Sequence, residues 1–260
     1  MNIIVCIKQV PDTTDVKIDP VTKTLVREGV PSIINPFDEN AIEAAVQLRE
    51  QFGGQVTVMT MGPPQAEAAL RDAVAMGADE AILLCDRTFA GSDTWATSYA
   101  LSRAVRKIAE YDLIICGKQA FDGDTAQVGP GLAEWLGIPQ ITYAIEIGLA
   151  DSRLRVRRLL ETGFEVVEVK PPALVTVVKQ INEPRMPGLK SKLAAKKKQI
   201  TTWTAADVEA EPGKCGLDGS PTNVVEVFAP SHDRHGELIE GAVSEQVGVL
   251  FEKLREQKVL

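Results

Sequence analysis

Apolar and polar positions alternate between two styles over the first two-thirds of the chain. Asn2-Ile3-Ile4-Val5-Cys6-Ile7 is a near-continuous apolar run, as in a strand covered on both faces. Residues 56–61, 81–84 and 113–116 repeat it. Between these runs the apolar spacing is helical. Ala41, Ala45, Leu48 and Phe52 share one face, as do Ala66, Leu70 and Ala73, and then Leu101, Val105 and Ile108. Asp38 offers an N-cap for the first helix and Gly53-Gly54 a stop. The β-α-β-α order predicts an α/β fold, a doubly wound and mostly parallel sheet with helices on both faces. Such sheets bind ligands beyond the carboxyl ends of their strands, at a topological switch point.

From Ile141 the style changes. Arg153-Leu154-Arg155-Val156-Arg157-Arg158 alternates with period two, and residues 164–169 and 173–178 follow with turn residues between. These predict antiparallel strands extending the sheet. Lys17-Ile18-Asp19-Pro20 and Thr24-Leu25-Val26-Arg27 predict a two-stranded excursion within residues 16–29. Residues 182–188 form a loop holding Pro184, Pro187 and Gly188, and residues 212–221 a Gly/Pro-rich linker. A last helix carries Val243, Val247, Leu250, Phe251 and Leu254 as an apolar stripe. That stripe packs either on its own sheet or on a partner, as an exchanged arm.

Composition narrows the class. A chain of 260 residues with 45% apolar and 25% charged residues is globular rather than disordered. Its net charge of −8 argues against non-specific nucleic-acid binding. Lys196-Lys197-Lys198 has no interleaved aromatic residues and reads as a solvated basic face. No run approaches the roughly 20 apolar residues of a membrane span, and the chain enters a strand without a signal-peptide pattern. A reduced, cytoplasmic protein is expected. Four cysteines show no CxxC spacing, and Cys6 and Cys116 lie in apolar runs as buried thiols. With only His232 and His235, metal chemistry is not expected. No GxSxG motif or Cys/His pairing advertises a hydrolase.

Candidate chemistry collects at strand-to-helix junctions. Gly117-Lys118-Gln119-Ala120-Phe121-Asp122-Gly123-Asp124-Thr125-Ala126-Gln127-Val128-Gly129-Pro130 follows a buried strand and opens a helix. Glycines there let a ligand approach the backbone, and the helix start offers free N–H groups to an anion. The same run also suits a structural turn capped by Asp124 or Thr125. Gly91-Ser92-Asp93-Thr94-Trp95-Ala96-Thr97-Ser98 is a second junction, with Asp93 or Ser92 as cap and hydroxyls near the first turn. Asn35-Pro36-Phe37-Asp38 and Thr60-Met61-Gly62-Pro63-Pro64 are the third and fourth. Taken singly, the second suits ordinary capping with a solvated polar turn and the third simply Pro plus an N-cap; four together predict a ligand-lined sheet edge.

At these residues the chain resembles the electron transfer flavoprotein β-subunit family, over nearly its whole length. The resemblance rests on Val5-Cys6-Ile7-Lys8-Gln9-Val10-Pro11-Asp12, Asn35-Pro36-Phe37, Met61-Gly62-Pro63, Ala75-Met76-Gly77-Ala78-Asp79 and Gly117-Lys118-Gln119-Ala120. Arg158, Glu161, Glu165, Val167, Pro172 and Leu174-Val175-Thr176 match the family's signature stretch, with Thr162 a minor departure. Asn182-Glu183-Pro184-Arg185 with Leu189 resembles the family's dehydrogenase-docking loop.

The resemblance implies an adenine-nucleotide α-hydrolase-like core over residues 1–190. It implies an arm over residues 191–260 that packs on a partner α subunit holding one FAD. Its nucleotide residues fall on Cys6, Asn35, Pro36, Phe37, Asp38 and Met61, and on Asp122, Gly123, Asp124, Thr125, Ala126, Gln127, Val128, Gly129, Pro130, Gly131, Leu132 and Ala133. Family β subunits bind either AMP or a second FAD. Asp93-Thr94-Trp95-Ala96-Thr97-Ser98 and the tail His235-Gly236-Glu237 resemble the electron-bifurcating members, which favours FAD, with Thr94 and Thr97 as added donors to a diphosphate. In that group NADH is the electron donor, and an acyl-CoA-type dehydrogenase and ferredoxin or flavodoxin are the acceptors. Leu189 would anchor the dehydrogenase. The competing readings are an AMP-binding electron carrier and a non-redox nucleotide-binding module; the C-terminal extension and the 182–185 loop argue against the latter.

Overall fold

A strand that is apolar on every side chain needs cover above and below, and parallel neighbours joined through helices supply it. The computed structural model describes residues 1–12, 31–225 and 236–260. The excursion expected within residues 16–29 and both histidines lie outside the described residues. The elements run β1 (Asn2–Cys6), β2 (Gln9–Pro11), β3 (Ser32–Ile34), α1 (Pro36–Phe52), β4 (Gln55–Met61), α2 (Glu67–Met76), β5 (Glu80–Leu84), α3 (Thr94–Ile108), β6 (Leu113–Gly117) and α4 (Val128–Leu136). They continue as β7 (Gln140–Ala150), β8 (Arg153–Leu160), β9 (Gly163–Val169), β10 (Ala173–Val177), α5 (Leu189–Lys197), β11 (Thr201–Trp203) and α6 (Val243–Glu256).

Nine strands form one sheet in the order β11-β5-β4-β1-β6-β10-β7-β8-β9, while β2 and β3 pair separately. Pairing is parallel from β11 through β7, and antiparallel from β7 to β9. Alternate side chains sort into two apolar layers. Ile3 and Val5 join Ala41, Ala45, Leu70 and Ala73 of α1 and α2. Ile4 and Cys6 join Leu101, Val105, Leu132 and Ala133 of α3 and α4. Each fully buried Leu or Ile contributes about 1.5–3 kcal/mol.

One strand departs from the expected pattern. Residues 173–178 were expected in the antiparallel extension, but β10 lies inside the parallel part, between β6 and β7. All five of its residues are buried. Ala173, Val175 and Val177 face the α1/α2 layer and Leu174 the α3/α4 layer, so only an interior position covers both sides. β8 and β9, which alternate, carry the antiparallel extension.

Residues beyond 190 add to this core. Arg71 of α2 donates to the carbonyls of Ala195, Lys196 and Lys198 at 2.9, 3.0 and 3.2 Å, fixing α5 against α2. β11 extends the sheet beside β5, and Ala205, Val208 and Cys215 are buried in the α3/α4 layer. On α6, by contrast, Val243, Val247, Leu250 and Phe251 are exposed.

The chain winds from β1 outward through β4 and β5, then returns to place β6 on the other side of β1. Loops therefore leave β1 and β6 in opposite directions, and backbone N–H groups at their ends lack ladder partners. Asp38 supplies them. Its Oδ2 accepts Lys8 N–H at 2.8 Å and its Oδ1 accepts Gly117 N–H at 3.1 Å. It was expected to cap α1, but Asn35 occupies that position, with no side-chain cap bond. Asn35 instead donates from Nδ2 to Gln119 O at 2.8 Å and accepts Phe121 N–H at 2.9 Å. Gly117 is required here, since a Cβ would come within 2.7 Å of Phe37 and collide with Asp38.

Burial pushes the Asp38 carboxyl from 3.8 up to about 7, against its two backbone donors, Asn35 and Lys8. Between about pH 4 and 7 the folded chain thus holds a proton that the unfolded chain has released, so this group's contribution falls as pH rises. Asp38→Asn removes one acceptor and should cost about 1–3 kcal/mol. Because the variant has no such titration, its deficit relative to the parent should narrow from about pH 4.5 to pH 7.5 in urea unfolding; a deficit that widens would contradict the assignment. Leu174→Ala should cost about 2–5 kcal/mol by the same assay. Leu160→Ala, on the exposed end of β8, should stay within about 0.5 kcal/mol.

Candidate functional site

The carboxyl ends of β1, β4, β6 and β10 meet at the switch point, the place where open sheets of this kind take ligands in a crevice. Its floor holds Cys6 and Cys116, which are register partners on β1 and β6. Both are free and buried. The neighbouring Cys6 thiol and burial push Cys116 well up, so it stays protonated and unreactive. Met61, at the end of β4, is half-buried beside the floor.

One wall is the loop between β6 and α4. Asp124 and Ala126 adopt left-handed backbone, with φ of 51° and 56°. Lys8 Nζ holds Asp122 at 2.5 Å, and Gln119 donates to Asp124. A Cβ on Gly123 would meet nothing within 4 Å, so the loop is open at that point. Asp122, Gly123, Asp124, Thr125 and Gln127 are exposed.

The start of α4 is the anion-competent feature. Neither Asp124 nor Thr125 caps it; Gln127 precedes the helix and its side chain makes no cap bond. Val128 and Gly129 N–H groups therefore open this helix without a side-chain acceptor, and no acid lies in its first turn. Pro130 has no N–H to satisfy. Gly129 is set by packing, since a Cβ there would sit 2.8 Å from Thr176 Cγ2. Gly131 lies under α3, where a Cβ would sit 2.8 Å from Ser98 Oγ. Leu132 and Ala133 are buried in the α3/α4 layer, so their side chains serve the core.

Helix α3 enters the same wall. Thr94 Oγ lies 3.2 Å from the Gln127 side-chain oxygen, which joins the two helix starts. Thr97 is half-buried one turn on. Unlike α4, α3 is capped as expected. Asp93 accepts Trp95 N–H at 2.9 Å, Ala96 N–H at 3.0 Å and both donors of Thr222. Burial opposes its ionisation, but these donors hold the carboxyl below its ordinary range. Ser98 is spent on Trp95 O at 2.9 Å. Ring contacts of Trp135 with Trp95 (4.7 Å) and Tyr99 (5.1 Å) lock α3 to α4.

The loop that leads into α5 at Leu189 is pinned to α1. Asn40 and Asn182 exchange side-chain-to-backbone bonds at 2.9 and 3.0 Å. Arg185 grips Glu43 at 2.7 Å and Glu50 at 2.6 Å. Burial would raise the Glu43 carboxyl, but Arg185 holds it below its ordinary value. Held this way, the loop presents Met186 and Leu189 at 94% and 76% exposure. Sequence reasoning missed Asn40 and Glu43, and named Thr176 only as part of the signature stretch. Each is a buried polar residue in an otherwise apolar pattern, and that misfit was the available signal.

A cavity of about 230 Å³ lies at the opposite, amino ends of β1 and β4, lined by Asn2, Gln55, Thr57 and Glu110, away from these groups. Among the described residues no cluster of three or more potential metal ligands occurs, and no helix is long and apolar enough to cross a membrane.

These strand ends thus offer donors, an open backbone turn and an inert floor. Comparison with known proteins gives the chain's relatives. The electron transfer flavoprotein domain family matches residues 22–208. An electron transfer flavoprotein subunit beta of Thermoanaerobacterium thermosaccharolyticum is 55% identical over 261 residues, covering all of both chains. The caffeyl-CoA reductase-Etf complex subunit CarD of Acetobacterium woodii is 49% identical over 262 residues, again all of both chains. Protein FixA of Azorhizobium caulinodans is 52% identical over 239 residues, 89% of this chain and 85% of that one. At this identity and coverage, the chain belongs to the electron transfer flavoprotein β-subunit family.

Proposed function

We propose that this chain pairs with an α subunit, holds FAD in the β1/β6 crevice, and carries electrons from NADH to an acyl-CoA-type dehydrogenase and to ferredoxin or flavodoxin by flavin-based bifurcation. The observation that carries the reading is the uncapped start of α4 beside Thr94, Thr97 and Gln127, facing the open turn at Gly123. A diphosphate needs more donors than one phosphate, and the two hydroxyls and the amide add to the α4 N–H groups. When bound, FAD would supply the one- and two-electron chemistry, which is why the chain needs no catalytic acid or base. The chain's own residues orient and exclude water. Asn35 and Asp38 fix the loop, and Cys6, Cys116 and Leu132 keep the floor dry.

A second reading, AMP in the same crevice, has its own support. Asp93 uses the Trp95 and Ala96 N–H groups, which leaves α4 as the freer helix end and suits a single phosphate. On either reading residues 1–190 carry the nucleotide. Of the arm over 191–260, the part beyond the stretch packed on the core would cover the α subunit, through the exposed stripe of α6. Four free thiols fit a cytoplasmic, reducing setting.

Nucleotides released from the heterodimer, identified and counted by chromatography, test the choice. Two FAD per heterodimer is expected; one FAD with one AMP would replace bifurcation by a simple electron shuttle. Thr97→Phe with Gly123→Val should empty the crevice while the α-subunit flavin stays bound. Gly123 has open space around it, so loss of nucleotide would report the ligand rather than a folding clash. Full retention of both nucleotides would remove this wall from the site. Leu189→Ala should slow transfer to the dehydrogenase several-fold while reduction by NADH holds. Equal loss of both would point to a general defect.

A further inference from the structure

Two arginines tie down the two ends of residues 186–194. At the near end, Arg185 lies between two carboxylates of α1. Its Nε and Nη2 donate to the two oxygens of Glu43 at 2.7 and 3.1 Å, a two-pronged bond. Its Nη1 and Nη2 reach the two oxygens of Glu50 at 2.6 and 3.0 Å, and its backbone N–H adds a bond to Glu43 at 3.2 Å. The Glu43 side chain is only 5% exposed, and Gln47 holds it from within α1 at 2.7 Å. At the far end, Arg71 Nη1 gathers the carbonyls of Ala195, Lys196 and Lys198. Its Nε and Nη2 bond Glu67 of the same helix at 2.9 and 2.6 Å, which fixes its aim.

Between the two ties almost nothing packs. Ala195 is the one buried residue of α5. Gly188 gives α5 no side-chain cap, and its first turn holds no acid. A helix of nine residues is marginal in water on its own, so α5 takes its shape from its ends. Yet this segment carries Met186, Leu189 and Leu193 in water, the last two one turn apart on a single face. Left loose, such a segment would have to be ordered by whatever binds it, and that ordering would be drawn from the binding energy.

We propose that Arg185 and Arg71 are positioning residues for partner docking: from the two ends they hold residues 186–194 in one fixed shape before a partner arrives, and so set the affinity at Leu189. The inference rests on the docking role proposed for Leu189 and adds what prepares it. Arginine suits the task at 185, because a lysine there has no planar fork with which to bridge two carboxylates.

The test uses the intact heterodimer with a purified acyl-CoA dehydrogenase as acceptor. Reduction of the dehydrogenase flavin, followed as its concentration is varied, gives KM and kcat. Arg185→Met paired with Glu43→Gln loosens the near end without leaving a buried carboxylate alone. Arg71→Met loosens the far end, where the Glu67 side chain is 41% exposed. Each should raise KM at least fivefold, leave kcat and reduction by NADH unchanged, and speed hydrogen exchange at the amides of 189–194. Arg185→Lys should fall between parent and Arg185→Met. Leu189→Ala added to the Arg185/Glu43 variant should raise KM by less than the product of the separate effects, as for residues that act through one anchor. The proposal is overturned if both variants keep the parental KM, if kcat changes in place of KM, if reduction by NADH falls alongside, if exchange is not faster, or if the losses multiply in full. A parent that does not reduce the dehydrogenase saturably, or a Leu189→Ala variant without effect, removes the docking role and this proposal with it. A Leu189→Ala defect with parental KM in the arginine variants removes this proposal alone.

Discussion

Two backbone N–H groups, from Lys8 and Gly117, end on one buried carboxylate, and the shape of the crevice depends on that bond pair. At a switch point the two central strands part company, and nothing in the sheet itself can satisfy their last donors. Asp38 does so from the first turn of a helix, with Asn35 holding the next stretch of loop at Gln119 and Phe121. The arrangement costs desolvation, visible in the raised carboxyl, and it dictates a glycine at 117. In return the β1 end, the β6 end and the α1 start are bonded to one another. A crevice assembled from loops alone would have no such fixed floor.

Charge within the crevice is sorted rather than summed. The whole chain carries −8, yet the strand ends present spare positive groups. Asp93 consumes the α3 helix start, Asp122 consumes Lys8, and the α4 start is left uncapped. Backbone N–H groups and hydroxyls are short and fixed, so they define an anion's position closely. Thr176 ties β10 to β7 and to α4: its hydroxyl accepts from Tyr143 and its methyl abuts Gly129.

How much of this was legible in the sequence depends on range. Periodicity identified the parallel strands and the helix faces, because burial on both sides or one side is written locally. Asp93 as a cap was equally local. Asp38 was misread for the same reason: a cap is the nearest use for an acid at a helix start, whereas its true partners lie 30 and 79 positions away. The place of β10 was misread from its order in the chain, although its doubly apolar pattern differs from the alternating β8 and β9. The clamp of Arg185 on Glu43 and Glu50, and that of Arg71 on the end of α5, are long-range pairings that no local pattern encodes.

Helix α1 ties these parts into a function. Its first turn holds the crevice through Asn35 and Asp38, and its middle holds the docking-type loop through Asn40, Glu43 and Glu50. The rise of about 1.5 Å per residue puts Asn40, Glu43 and Glu50 roughly 3, 8 and 18 Å beyond Asp38 along one rigid rod. A partner seated on Leu189 would therefore meet a crevice whose position was fixed before it arrived. For a protein whose chemistry belongs to a cofactor, that is the contribution left to the chain: it sets distances and orientations, and it does so with buried polar pairs because only directional bonds can fix them.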